Sequence, residues 1–143
     1  MTLIKYEGIA SCPPAHLFRL INAVEQYPKF LSWCKEARVN NRTQDTIQAT
    51  ALVHKYGIQF SCPFTYTLRS KNEISVGLPS GGPFSSVSGL WQFQGTSNET
   101  KFSFELRLEH QNNWWMKLFI LPILKNEVRN FIKAFELRAS LHR

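Results

Sequence analysis

A metal centre or a nucleophile–base pair would have to be built from three cysteines, four histidines and one aspartate, and their spacing favours neither. Cys12, Cys34 and Cys62 form no CxxC pair and stand at no ligand spacing from His16, His54, His110 or His142. Asp45 falls in a polar turn, which argues against a Ser-His-Asp arrangement. Glu105 and Glu109 share what reads as the wet face of a strand, where carboxylates stay ordinary acids instead of a tuned acid–base pair. Gly81, Gly82 and Gly89 precede no Lys-Ser/Thr pair and open no helix, so they make no phosphate loop. The residues therefore predict no enzyme, no metal site and no cofactor.

Aromatic and basic side chains carry the remaining possibilities. Phe, Tyr and Trp make up 13% of the chain. Either they fill a bulky core or some of them line a cavity. In Tyr27-Pro28-Lys29-Phe30-Leu31-Ser32-Trp33-Cys34, the proline fixes the chain direction while large apolar side chains crowd together. This segment is either a plug over one end of the core or a pocket wall, with Phe30 and Trp33 against a flat ring and the Tyr27 hydroxyl orienting it. The stretch from Gly81 to Phe93 is either a hairpin turn followed by a strand presenting Trp91 and Phe93, or a lid carrying Phe84. On the last helix, Leu124, Val128 and Phe131 are the candidate ligand contacts.

Lys125, Arg129 and Lys133 recur every four residues, with Lys117 two such steps earlier. This is either the solvated side of an amphipathic helix or a docking stripe for anionic lipid or ribosomal RNA. The net charge of +7 and pI near 9.6 favour polyanionic partners or serve solubility alone. DNA is not among the expected partners.

Elements able to position these groups follow from the patterning. Residues 2–10 read as a strand; 11–14 then open a helix that Ser11 is placed to cap, with Leu17, Leu20, Ile21 and Val24 on one face. Pro28 breaks that helix or begins a second short one. Strands are expected over 34–39, 46–54, 58–68, 73–78 and 90–94, with turns at 40–42, 55–57 and 96–99 and a loop over 79–89. Pro63 marks an edge or a bulge. Residues 101–110 alternate most cleanly, with Phe102, Phe104, Leu106 and Leu108 on one face. Residues 113–143 read as one long helix with Leu121, Leu124, Val128, Phe131 and Phe135 in a stripe, kinked or restarted at Pro122. The expected class is α+β: an antiparallel sheet of about six or seven strands around a long C-terminal helix, with two short helices after the first strand. The length of 143 residues predicts one domain.

The odd cysteine count and the absence of a secretory h-region in the opening residues predict reduced thiols and a cytoplasmic location. The apolar run 114–124, broken by Lys117 and Pro122, is short of the roughly 20 residues a membrane-crossing helix requires.

The segments Tyr27–Cys34, Gly82–Phe93 and Ala134–Ala139 resemble the coenzyme Q-binding, RatA-type branch of the START-like superfamily, also labelled polyketide cyclase/dehydrase or oligoketide cyclase. The likeness runs over nearly the whole chain. It departs at Ser85, where a basic residue is usual, at Gly81, where an acidic one is, and at Cys62-Pro63 within an expected strand. The resemblance implies a helix-grip (Bet v 1-like) fold with a hydrophobic tunnel between sheet and helix. It implies binding of ubiquinone or another isoprenoid lipid in support of respiration, by a cytoplasmic protein able to sit at the periphery of the inner membrane. The alternative it carries is a toxin-like inhibitor of ribosomal subunit association, bound to the large subunit through a basic surface.

Overall fold

The computed structural model describes residues 2–81, 84–110, 113, 114 and 116–141; Gly82, Pro83, Trp115, His142 and Arg143, used in the sequence reading, lie outside them. The described elements are β1 (Thr2–Ala10), α1 (Pro14–Asn22), a 3-10 turn (Val24–Lys29), β2 (Cys34–Arg42), β3 (Thr46–Lys55), β4 (Ile58–Ser70), β5 (Glu73–Gly77), β6 (Phe84–Gly95), β7 (Thr100–His110), a π turn (Met116–Ile120) and α2 (Leu121–Leu141). All seven strands form one curved antiparallel sheet in the order β1-β7-β6-β5-β4-β3-β2, and α2 lies in its concave face. This is the expected α+β helix-grip architecture, with the two short helical segments after β1.

The alternation in β7 does what its pattern requires: Phe102, Phe104, Leu106 and Leu108 are buried, and Arg107 on the other face reaches the Glu105 carboxylate at 2.8 Å. The helix closes onto β1 where side chains are smallest. A Cβ on Gly8 would stand 3.0 Å from Ile132 Cγ2 and 2.8 Å from the Phe102 ring, so glycine permits this approach. Two hydrogen bonds fasten the junction: the Ile9 amide donates to Glu136 Oε2 at 2.6 Å, and the Ser11 amide donates to Ser140 Oγ at 3.2 Å.

Several local expectations are corrected. Ser11 does not cap α1; the cap position is Pro13, whose carbonyl receives the His16 amide at 3.0 Å, and Pro14 needs no donor there. The 40–42 turn belongs to β2, and the reversal comes at Thr43, whose hydroxyl accepts the Asp45 and Thr46 amides. Half of the 79–89 loop is strand, because residues from Phe84 onward pair with β7. The last helix starts at Leu121, after the π turn, so Pro122 marks a restart in a first turn where its missing donor is not needed. Pro63 does sit at a local edge: pairing of β4 with β5 begins at Thr65, so residues 58–64 are paired on the β3 side alone.

Candidate functional site

The N-terminal half of α2 and the concave face of β3–β7 enclose a cavity of about 430 Å³. Its longest wall is β4, where every second residue, Ile58, Phe60, Cys62, Phe64 and Tyr66, points inward. Exposure falls along that row from 61% at Ile58 to 3% at Tyr66, so the cavity opens at the β3–β4 turn and closes toward α1. Across the register stand Ala51 opposite Cys62 and Val53 opposite Phe60. Trp91, Phe104 and Leu106 form the floor from β6 and β7, and Ile123, Leu124, Val128 and Phe131 of α2 form the roof. Gly89 shapes the floor: a Cβ there would lie 2.7 Å from the Phe104 ring, which occupies the space above it.

Polar groups stand at the two ends. At the mouth, Glu127 of α2 accepts the Tyr56 hydroxyl at 2.7 Å and pairs with Lys55 Nζ at 3.4 Å, joining the helix to the β3–β4 turn. That hydrogen bond to the carboxylate holds the Tyr56 hydroxyl above its ordinary pKa. At the closed end, the buried Tyr27 hydroxyl donates to the Ile21 carbonyl, so the Tyr66 hydroxyl, 2.7 Å away, donates to Tyr27. Burial pushes Tyr66 up to about 12 and raises Tyr27 well above the ordinary tyrosine value. The Trp91 indole N–H, also buried, makes no hydrogen bond of ordinary geometry among the described residues. A charged group would be penalised at this end.

Of the residues singled out in the sequence, Tyr27, Trp33, Trp91, Leu124, Val128 and Phe131 line the cavity together. Phe30, Phe84 and Phe93 are not among the lining side chains. Phe30 packs edge-on against Tyr27 and Phe135 beneath the Arg138 guanidinium; Phe93 is buried against Phe18 and Trp91; Phe84 meets the His110 ring. Lys117, Lys125, Arg129 and Lys133 are all exposed on the outer side of the helical segment. The row from Ile58 to Tyr66, together with Lys55, Tyr56 and Glu127, was missed; the period-two apolar pattern at even positions was its signal.

No group of three or more metal-ligating side chains occurs among the described residues, and no described helix is long and apolar enough to cross a membrane.

An antiparallel sheet gripping a C-terminal helix over an apolar cavity defines a START-like protein. A START superfamily protein from Mycobacterium smegmatis superposes with a TM-score of 0.78 at 15% identity over 99% of each chain. The chain belongs to the family described as polyketide cyclase / dehydrase and lipid transport, whose model matches residues 11–136. The ribosome association toxin RatA of Escherichia coli (strain K12) is 31% identical over 124 residues, covering 86% of this chain and 77% of that protein. The aromatase/cyclase Zhui from Streptomyces sp. R1128 shares the fold, with a TM-score of 0.68 at 13% identity over 98% of this chain and 87% of that one. These findings overturn the expectation that the chain is not an enzyme: its family embraces cyclases and dehydrases, and an aromatase/cyclase is built on the same fold. Missing triads and metal sites argued only against chemistries that need them. At that identity the fold alone is shared, so no catalytic residue is carried across.

Proposed function

We propose that the protein binds an elongated, uncharged apolar molecule between α2 and the sheet, and that an isoprenoid quinone such as ubiquinone, handled in support of respiration, is the ligand class that best matches the cavity. The observation carrying this reading is the cavity itself. Its volume of about 430 Å³ falls within the roughly 300–1,000 Å³ usual for small-molecule sites. A flat ring has Trp91 and Phe104 to lie against. Burying apolar ligand surface contributes about 25 cal/mol per Å², so a ring and a short tail suffice for affinity. Protein purified from its native host should release a lipid on extraction with organic solvent, identified by mass spectrometry. The emptied protein should show saturable quenching of tryptophan fluorescence by a short-chain quinone. A lipid-free preparation that gives no response to added quinone would sink the reading.

A second reading rests on the RatA relative and the exposed row Lys117, Lys125, Arg129 and Lys133. Here the helix surface binds the large ribosomal subunit through phosphate contacts, with strong salt dependence. Sedimentation of cell extract at low salt tests it. The protein should travel with ribosomal fractions, and Lys125→Glu/Arg129→Glu/Lys133→Glu should release it while leaving quinone binding intact.

A further inference from the structure

Large apolar side chains face solvent at the mouth of the cavity and in the segment that leads into its roof. Tyr56, Ile58 and Phe60 are 68%, 61% and 51% exposed on the β3–β4 turn. Trp114, Leu118 and Phe119 are 69%, 65% and 58% exposed in the segment leading into α2. Trp114 and Phe119 meet edge to face with ring centroids 6.1 Å apart, so the second group forms a cluster. Ile123, the next exposed large hydrophobic after Phe119, lines the cavity with Ile58 and Phe60, so the second group continues along the helical segment from the mouth. Among the described residues, most of the exposed large hydrophobics belong to these two groups and Ile123, against the usual scatter of single residues on a free surface.

Charge distinguishes what could cover this rim. Across residues 54–62 and 113–126 the sequence holds Lys55, Lys117 and Lys125 and no aspartate or glutamate. Glu127 follows directly and pairs with Lys55 and Tyr56, which offsets the Lys55 charge and leaves the surplus positive charge of the rim on Lys117 and Lys125. Exposed Trp, Tyr, Phe and Leu interleaved with lysine fit the boundary between acyl chains and anionic headgroups, where amphipathic rings and snorkelling cations are both favoured. The π turn at Met116–Ile120 presents this stretch: Met116 is buried while Lys117, Leu118 and Phe119 project outward.

We infer that the apolar rim formed by the β3–β4 turn and the lead-in to α2 seats on the surface of an anionic lipid bilayer, with the cavity mouth facing the acyl chains. This rests on the reading of the cavity as an apolar ligand site, and it gives that ligand a path: it enters from lipid without crossing water. It also places the docking surface at the lead-in and the β3–β4 turn, and no longer along the outer row that continues to Arg129 and Lys133.

Flotation of the full chain with phosphatidylcholine vesicles, with and without phosphatidylglycerol, tests the inference. The protein should float with the anionic vesicles, less with neutral ones and less at high salt. Leu118→Ser/Phe119→Ser should lower the vesicle-bound partition about tenfold or more, by removal of two inserted side chains. Lys117→Glu/Lys125→Glu should weaken it several-fold and guards against misfolding of the first variant, since both lysines are exposed. Both variants should still bind 1-aminoanthracene, a neutral probe of the cavity, as the wild type does. Wild-type protein that stays with the aqueous phase overturns the inference, and so does equal flotation of wild type and variants. Loss of ribosome co-sedimentation in these variants with unchanged flotation overturns it in favour of a ribosomal partner. Probe binding without flotation defeats the membrane inference alone, whereas absent probe binding defeats the cavity reading beneath it.

Discussion

The two halves of α2 share one amphipathic pattern and meet different surroundings. The C-terminal half is packed: Ile132, Phe135 and Ala139 are 2%, 0% and 0% exposed, and Phe135 touches the rings of Tyr27, Phe30, Trp91 and Phe131 at centroid distances of 5.0–5.5 Å. The N-terminal half roofs the cavity with Leu124, Val128 and Phe131. Gly8 accounts for part of the contrast, because it brings α2 down onto β1 near Ile132. Toward the other end the Glu127 link fastens the helix to the β3–β4 turn, and the space between helix and sheet is left unfilled. One end thus supplies stability and the other supplies a site.

The sharpest way to break this comparison is to truncate one aromatic in each half. Phe135→Ala should cost about 3–5 kcal/mol in denaturant unfolding, as for a fully packed ring. Phe131→Ala should cost clearly less, about 1–3 kcal/mol, because part of its surface already faces empty volume. Equal losses would mean that the halves do not differ.

Filling the cavity should separate function from stability. Val53→Trp puts an indole into the half-buried wall opposite Phe60. Quinone affinity should fall at least about tenfold, a loss of roughly 1.4 kcal/mol or more, while the unfolding midpoint stays near wild type, which titration and thermal melts would show together.

The link at the mouth should act on rates. Glu127→Gln or Tyr56→Phe should speed release of bound probe by several-fold in stopped-flow displacement, with a stability loss of about 1 kcal/mol or less for a pair at the rim of the cavity. The Tyr56 hydroxyl donates only while protonated, and its folded-state pKa is raised. Its contribution is therefore fully present below the ordinary tyrosine value and lost as pH rises through the raised one, so probe release should accelerate on the alkaline side.

The smallest effect belongs to the 3-10 turn. Glu25, lowered by its own backbone amide and then by Arg42, contributes stability above the ordinary glutamate range and loses it as pH falls through the depressed value. Arg42 also donates to the Asn22 carbonyl at 3.0 Å. Arg42→Ala should cost about 1 kcal/mol or less at neutral pH and flatten the acid limb of the stability profile.

Much of the fold was legible because periodicity reports which face is covered. The alternation of 101–110 and the stripe on α2 gave a wet-backed sheet around a helix. The site was legible only in part. Period two in 58–66 identifies an inward face, but no pattern tells whether that face meets side chains or empty space. Phe30 and Trp33 sit three residues apart in one motif, yet the 3-10 turn sends Phe30 into the packed cluster and Trp33 toward Phe131 and the cavity. Residues 84–89, half of them serine, carry no strand signature of their own, and register with β7 makes them a strand. Such long-range pairing is invisible to local composition.

Because β5 stops at Gly77, the outer reach of β4 has a ladder on one side only. Backbone amide exchange should divide that strand near Thr65, slow toward Tyr66 and faster toward Ile58, so the entrance can breathe as its own small cooperative unit while the rest of the sheet stays closed.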